Sequence, residues 1–233
     1  MSDVPEFTIV IPARSGSKRI PDKNVQQIGG RSLLSWTLEF STGIGAKEIL
    51  LSSDSNRILK EADSFPEVSQ LKRPESLSND ASQANMVVSD LFRRGIISTG
   101  YALMLQPTSP FRFKKTMYEA LKLAESSRKN VFTCSKYRHG FPEWSMTATN
   151  KGKIVPSDLF LSSSQSQDVV DRYYLNGNAY VFVGSLMKEQ PLRPENIIGY
   201  PCSNPFEEID IDDHFDLLVA RRLHSDFRTF STR

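Results

Sequence analysis

Four cations, Arg14, Lys18, Arg19 and Lys23, fall within ten residues near the start of the chain. They lie in the run Pro12-Ala13-Arg14-Ser15-Gly16-Ser17-Lys18-Arg19-Ile20-Pro21-Asp22-Lys23-Asn24. Such density calls for a counter-charge, and a triphosphate supplies one. The run follows an apolar, β-branched segment and precedes a helical pattern, a place where backbone N–H groups and a helix dipole favour an anion. Gly16 lets the backbone approach a ligand closely. This is not a Walker A loop, because Gly16-Ser17-Lys18 lacks the upstream glycine, and no dinucleotide fingerprint occurs elsewhere. Without a ligand, the same run reads as a solvated basic loop.

A second group is Ile209-Asp210-Ile211-Asp212. Strand alternation sets Asp210 and Asp212 on one face and the isoleucines on the core face. Paired carboxylates repel unless a cation lies between them, and Mg²⁺ takes one or two carboxylates with phosphate oxygens and water. The alternative is a strand-end pair in which Asp212 or Asp213 caps the closing helix. A third group, Leu105-Gln106-Pro107-Thr108-Ser109-Pro110-Phe111-Arg112, sets short hydrogen-bonding side chains on a stiff strand end. That suits a pocket lined by fixed polar groups, or a rigid turn before the next helix. Asn176-Gly177 is first a hairpin-turn signal and second a ligand contact. Arg73-Pro74 reads either as a guanidinium aimed at a base carbonyl or as a surface loop.

The elements that must carry these groups follow from hydrophobic pattern. Strands are expected at Phe7–Ile11, Glu48–Ser52, Tyr101–Leu105, Val131–Cys134, Ala179–Val183 and Ile209–Asp212. Helices are expected from Leu33 with Ser32 as N-cap, after Asp54 or Ser55, and over Ser82–Arg94, Lys114–Arg128 and His214–Leu223. Alternation of strand and helix over the first ~135 residues predicts βαβ units and a mostly parallel sheet, with the ligand site at the strand carboxyl ends. Between Lys136 and Tyr173 the regularity fails. That stretch reads as an excursion that covers the site or meets a second subunit.

Composition bounds the rest. The 233 residues carry 29 Lys plus Arg against 27 Asp plus Glu, a net charge of +2 that argues against a nucleic-acid surface. No apolar run reaches the ~20 residues of a membrane helix, and no signal peptide is evident, so a cytoplasmic protein is expected. Cys134 and Cys202 form no C-x-x-C pair, and the three histidines, His139, His214 and His224, have no metal-ligand spacing.

Taken together, these residues resemble the N-acylneuraminate cytidylyltransferase (CMP-sialic acid synthetase) family, with its legionaminate and pseudaminate relatives. The pattern A-R-x-x-S-K-x-x-x-x-K-N is matched from Ala13 to Asn24, and the Arg73-Pro74, Leu105–Pro110, Asn176-Gly177 and Asp210–Asp212 elements follow in the same order. The resemblance implies one three-layer α/β domain over residues 1–233, with 136–173 as a dimerisation or lid element in a homodimer. It also implies joining of CTP to a nonulosonic-type 2-keto-3-deoxy sugar acid. By that carry-over Arg14, Ser17, Lys18 and Lys23 hold the CTP phosphates, while Asn24, Arg73 and Ser82 serve the cytosine. Gln106, Tyr174, Asn176 and Gly177 line the sugar pocket, Asp210 and Asp212 bind Mg²⁺, and Arg14, Lys23 and Asp212 carry the chemistry.

One position departs from the pattern. Relatives often have Arg-Gln-Asp before Tyr173-Tyr174-Leu175, where this chain has Ser166-Gln167-Asp168. An arginine able to pair with the sugar carboxylate is therefore missing; Lys136, Arg138 or Arg172 from a partner subunit, or backbone N–H groups of the Gln106 loop, are candidate substitutes, with a basic side chain across the interface favoured. Rival readings are a sugar-1-phosphate nucleotidyltransferase, a transferase for an octulosonic acid, and a nucleotide-binding module without chemistry.

Overall fold

The computed structural model describes residues 4–77, 84–138, 142–150, 153–159, 171–189 and 192–231. Its strands are β1 (Phe7–Pro12), β2 (Gln27–Ile28), β3 (Arg31–Ser32), β4 (Glu48–Ser53), β5 (Val68–Lys72), β6 (Tyr101–Met104), β7 (Asn130–Lys136), β8 (Met146–Ala148), β9 (Ile154–Pro156), β10 (Tyr173–Val183) and β11 (Ile197–Pro201). The helices are α1 (Leu33–Thr42), α2 (Asn56–Leu59), α3 (Ala84–Arg93), α4 (Lys114–Ser127), α5 (Gly184–Glu189) and α6 (His214–Ser231).

Seven strands form one sheet in the order β11-β7-β10-β6-β1-β4-β5, parallel except for β10, which runs antiparallel to both its neighbours. Period-two alternation divides β1 between two cores. Phe7, Ile9 and Ile11 face a cluster with Leu34 and Leu38 of α1 and Met117 and Leu121 of α4. Val10 faces the other side, against Val88, Leu91 and Phe92 of α3. A strand buried on both faces is mostly apolar; Phe7–Ile11 has four apolar residues, and its one polar residue, Thr8, is buried with its hydroxyl bonded to Thr99 Oγ1 at 2.9 Å. Helices on both faces give the expected three layers.

A third cluster, distinct from the sheet, joins Ile20, Ile28, Leu33, Trp36, Phe111, Ile211, Leu217 and Phe227. It packs α6 against the β2–β3 hairpin and anchors both the basic loop, through Ile20, and the acidic segment, through Ile211. The N-terminus of α1 is closed as expected, with the Ser35 amide donating to Ser32 Oγ at 3.0 Å, a cap contributing about 1 kcal/mol.

Several expectations need correction. Residues 209–212 form no strand; the Ile211 amide instead donates to the Thr108 carbonyl at 2.8 Å. Asn176-Gly177 is not a hairpin turn but lies inside β10, where the pairing with β7 shifts register between Leu175 and Tyr180. Gly177 takes φ 74°, open to glycine at no steric penalty, and this is a bulge rather than a chain reversal. β5 and β11 have no counterpart among the expected strands, and α6 continues to Ser231. The 136–173 stretch contains the β8–β9 hairpin, with Met146, Ile154 and Leu159 at 50%, 64% and 62% exposure. Ser82 and Ser166, with the loop residues His139, Phe141 and Phe160, lie outside the described residues.

Candidate functional site

Four parallel strands end at one cleft. The basic loop leaves β1, Asp54 follows β4, Arg73 follows β5 and Gln106 follows β6. The cleft encloses about 390 Å³ and is lined by Pro12, Arg14, Ser17, Lys18, Arg19, Lys23, Asn24, Arg73, Ala84, Gln106, Pro107, Thr108 and Asp212. Five cations face one carboxylate across this lining. Such an imbalance in a concave site is a strong attractor for a polyanion.

The loop is held by its own side chains. Asn24 is buried and donates Nδ2 to the Arg14 carbonyl at 2.8 Å, which closes the loop across ten residues. At its tip, Gly16 at φ 73° turns the backbone. Ser15 is tied to Asp54 by two hydrogen bonds, from its amide at 2.7 Å and its hydroxyl at 2.6 Å. Burial works against ionisation of Asp54, but the Ser15 bonds and nearby Arg73 outweigh it and hold the carboxyl below its usual range. The sequence offers Asp54 or Ser55 as the cap of α2, and Asp54 pins the loop instead. Its loop-pinning role is visible only once β1 and β4 lie side by side. Ser55 takes the cap position of α2 without a side-chain bond.

Arg73 is buried, with Nη2 donating to the Ser52 carbonyl at 2.8 Å and Nε to Ser52 Oγ at 3.4 Å. Desolvation lowers its pKa, partly offset by Asp54. Lys23 crosses the cleft, donating Nζ to the Ile211 carbonyl at 2.8 Å and to Asp212 Oδ1 at 3.2 Å. Arg19 meets the other Asp212 oxygen at 3.3 Å. The basic loop and the acidic segment therefore face each other at the cleft mouth.

Asp210 is half-buried, whereas Asp212 is exposed. The Asp210 carboxylate accepts from Ser109 Oγ at 3.3 Å. An added Cβ on Gly177 would lie 2.7 Å from its Oδ2, so only glycine there leaves room for the carboxylate. Burial raises the pKa of Asp210, Asp212 raises it further, and Thr108, Ser109 and Lys23 counteract this. The two carboxylates thus feel each other although no strand aligns them.

The residues assigned to the sugar pocket divide. Gln106 lines the cleft. Asn176 is buried inside the sheet with its amide engaged at both ends: Oδ1 accepts from Thr133 Oγ1 at 2.7 Å and Nδ2 donates to Ser135 Oγ at 3.0 Å. Tyr174 is half-buried, its ring edge-on to Tyr137 at 5.1 Å. Neither belongs to the cleft lining, whereas Thr108, Pro107 and Ala84, unassigned from sequence, do.

Comparison with known proteins adds an independent line. Over 219 residues the chain is 30% identical to CMP-N,N'-diacetyllegionaminic acid synthase of Legionella pneumophila, covering 92% of this chain and 94% of that one. It is 26% identical over 227 residues to pseudaminic acid cytidylyltransferase of Campylobacter jejuni, with the same coverage. In fold it is similar to a CMP:2-keto-3-deoxy-manno-octonic acid synthetase solved with CTP, at TM-score 0.69, 14% identity and coverage of 95% and 99%. The family model described as cytidylyltransferase matches residues 8–157, a span that holds the basic loop, Asp54, Arg73 and Gln106, and by that match the chain belongs to the cytidylyltransferase family.

Proposed function

We propose that this chain transfers the cytidylyl group of CTP to the anomeric hydroxyl of a nonulosonic-type 2-keto-3-deoxy sugar acid. The observation that carries this reading is the cleft at the strand carboxyl ends, in which five cations oppose one carboxylate. The acceptor class is supported by the legionaminic and pseudaminic acids for which the Legionella and Campylobacter relatives are named.

The sugar oxygen forms a bond to the α-phosphorus as the bond to the bridging β-phosphate oxygen breaks. Pyrophosphate leaves with that electron pair, and the hydroxyl proton passes to solvent water. Little covalent assistance is required, so positioning and charge stabilisation dominate. Arg14, Lys18 and Lys23 hold the phosphates and offset charge that builds on the leaving group. Ser17 adds a hydroxyl on the same wall. Asn24 keeps the loop in shape, while Arg73, with Ser82, serves the base. Gln106 faces the acceptor, and Tyr174, Asn176 and Gly177 lie in β10, the strand paired with β6, after which Gln106 follows.

Asp210 and Asp212 fit a divalent cation such as Mg²⁺. Burial and the neighbouring Asp212 push the Asp210 carboxyl upward, a penalty that a divalent cation beside the pair would relieve. The remaining ligands of such an ion would be phosphate oxygens and water. Such an ion, when bound, offsets phosphate charge and orients the triphosphate. Lys23 and Arg19 hold Asp212 in its place until then.

The acceptor's carboxylate needs a donor. Lys136, Arg138 and Arg172 are paired with Asp171, Glu208 and Glu143 at 2.6, 2.8 and 2.6 Å. The Lys136 and Arg138 cations are exposed and their pairs are screened by solvent, so a substrate carboxylate competes for either cation. Exposed Met146, Ile154, Leu159 and Leu175 support a homodimer in which one of these cations serves the partner's site. With Ser166 replacing an arginine, a deoxy-diamino nonulosonic acid is the expected acceptor over N-acetylneuraminate. The test is kcat/KM for both, with 3-deoxy-manno-octulosonate alongside, at fixed CTP with Mg²⁺ and with EDTA. A tenfold preference for N-acetylneuraminate contradicts the acceptor reading, and full activity in EDTA contradicts the metal reading.

A further inference from the structure

Arg112 ends the proline-stiffened segment that begins at Leu105, yet it contacts no part of the nucleotide cleft lining except through the backbone. It is 2% exposed. Its three donor groups reach three separate elements. Nε donates to the Asn178 carbonyl in β10 at 3.0 Å, Nη1 to Thr37 Oγ1 in α1 at 3.1 Å, and Nη2 to the Gln106 carbonyl. A buried guanidinium is costly unless its donors are met and its charge is answered. Both conditions hold, because Asp210 and Glu207 lie close enough to stabilise the cation. Burial lowers the pKa of Arg112 to about 9, so it remains charged at neutral pH.

Two of the three contacts bear on one wall. The Gln106 carbonyl accepts from Arg112 and also from the Ser109 amide at 3.2 Å. That fixes the peptide plane and leaves the Gln106 side chain on the cleft side. Asn178 follows Gly177, whose backbone lies against Asp210 and Ser109. The guanidinium thus sets the distance between the Gln106 loop and the β10 bulge, whereas its third contact merely fastens this unit to α1.

We propose that Arg112 is a positioning residue for the acceptor half of the site, orienting Gln106 against the β10 bulge without touching substrate. This rests on the reading that Gln106 faces the acceptor. A lysine cannot replace it, since an ammonium lacks the planar fork that meets three divergent acceptors.

The experiment compares Arg112→Lys, Arg112→Gln and Thr37→Val with the parent. CTP affinity is read by calorimetry, and kcat and KM are read for N,N'-diacetyllegionaminate, pseudaminate and N-acetylneuraminate, with melting temperature to correct for folded protein. Arg112→Lys should keep its CTP Kd within about twofold while acceptor kcat/KM falls on the order of ten- to a hundredfold, as expected for a lost charge-assisted hydrogen bond. Thr37→Val should melt earlier but keep parental acceptor kcat/KM. Three results overturn the proposal: parental acceptor kinetics in Arg112→Lys, an equal loss in Thr37→Val, or failure of both Arg112 variants to fold, which makes the side chain a structural tie alone. A parent inactive with every acid removes the functional reading and this proposal together, and is distinguishable from normal variants beside an active parent.

Discussion

Replacing Gly177 with alanine tests the link between backbone geometry and the acidic segment. Gly177 holds φ 74°, a left-handed conformation that costs an L-residue ~1–2 kcal/mol. Its new Cβ would stand 2.7 Å from Asp210 Oδ2, 3.0 Å from Asp210 Cγ and 3.1 Å from Ser109 Oγ. Contacts that short require the carboxylate to retreat by several tenths of an ångström. Asp210 is wedged beneath Ser109, so the movement adds an overpacking penalty of about 1–3 kcal/mol. The fold should survive, destabilised by roughly 2–5 kcal/mol in urea titration, a loss that a domain of about 10 kcal/mol total stability withstands. Catalysis should suffer more, because displacement approaching 1 Å near the reacting groups lowers turnover by on the order of a hundredfold. Steady-state pyrophosphate release and urea unfolding measure the two effects. A Gly177→Ala protein with parental kcat would refute the inference that Asp210 has to sit where the glycine leaves room for it.

Three other outcomes are expected. Lys23→Ala should lower kcat more than it raises the KM for CTP, because Lys23 opposes charge that grows toward the transition state; steady-state kinetics with near-parental kcat would assign it to the cleft mouth alone. Glu207 is buried, chiefly for which reason its carboxyl is pushed up to about 7 from 4.5. Its folded value exceeds its unfolded one, so the stability it confers is fully present below about pH 4.5 and is lost as pH rises through about 7. Glu207→Gln should accordingly gain on the parent by on the order of 3 kcal/mol between pH 4.5 and 8, and a stability difference constant with pH counts against this. Finally, light scattering should give a dimer mass, and Leu159→Lys should weaken it; a fully active monomer excludes the interface.

How much of this was legible in the sequence depended on whether the signal was local. The basic loop was, because Ile9 and Ile11 alternate with Val10 into two buried cores and the cations follow immediately. So was the Ser32 cap, a contact spanning three residues. β5 was not, since an edge strand reading Val-Ser-Gln-Leu-Lys buries chiefly Val68. β10 was cut short because Asn-Gly normally reverses a chain, whereas here Asn176 is stitched to Thr133 and Ser135 of the adjacent strand. The Asp-Ile-Asp pair looked like a strand from its alternation. Tertiary contact with Thr108 and the aromatic cluster below Ile211 decided otherwise. Asp54 and Arg112 were not legible for the same reason: Ser15 lies 39 residues from Asp54, and Thr37 and Asn178 lie 75 and 66 residues from Arg112, so these partners meet only in the folded chain.

The central claim is that the five-cation cleft takes CTP as the donor in a transfer to a sugar acid. Its most direct measurement is pyrophosphate release from CTP, UTP, GTP and ATP in turn, each with N,N'-diacetyllegionaminate, with the nucleotide-sugar identified by mass spectrometry. The account predicts release with CTP at least about a hundredfold above the other three, a discrimination of roughly 3 kcal/mol, and a product whose mass is the acid plus cytidylate. Equal release with UTP or GTP, or CTP consumption without a cytidylyl-acid product, would contradict it.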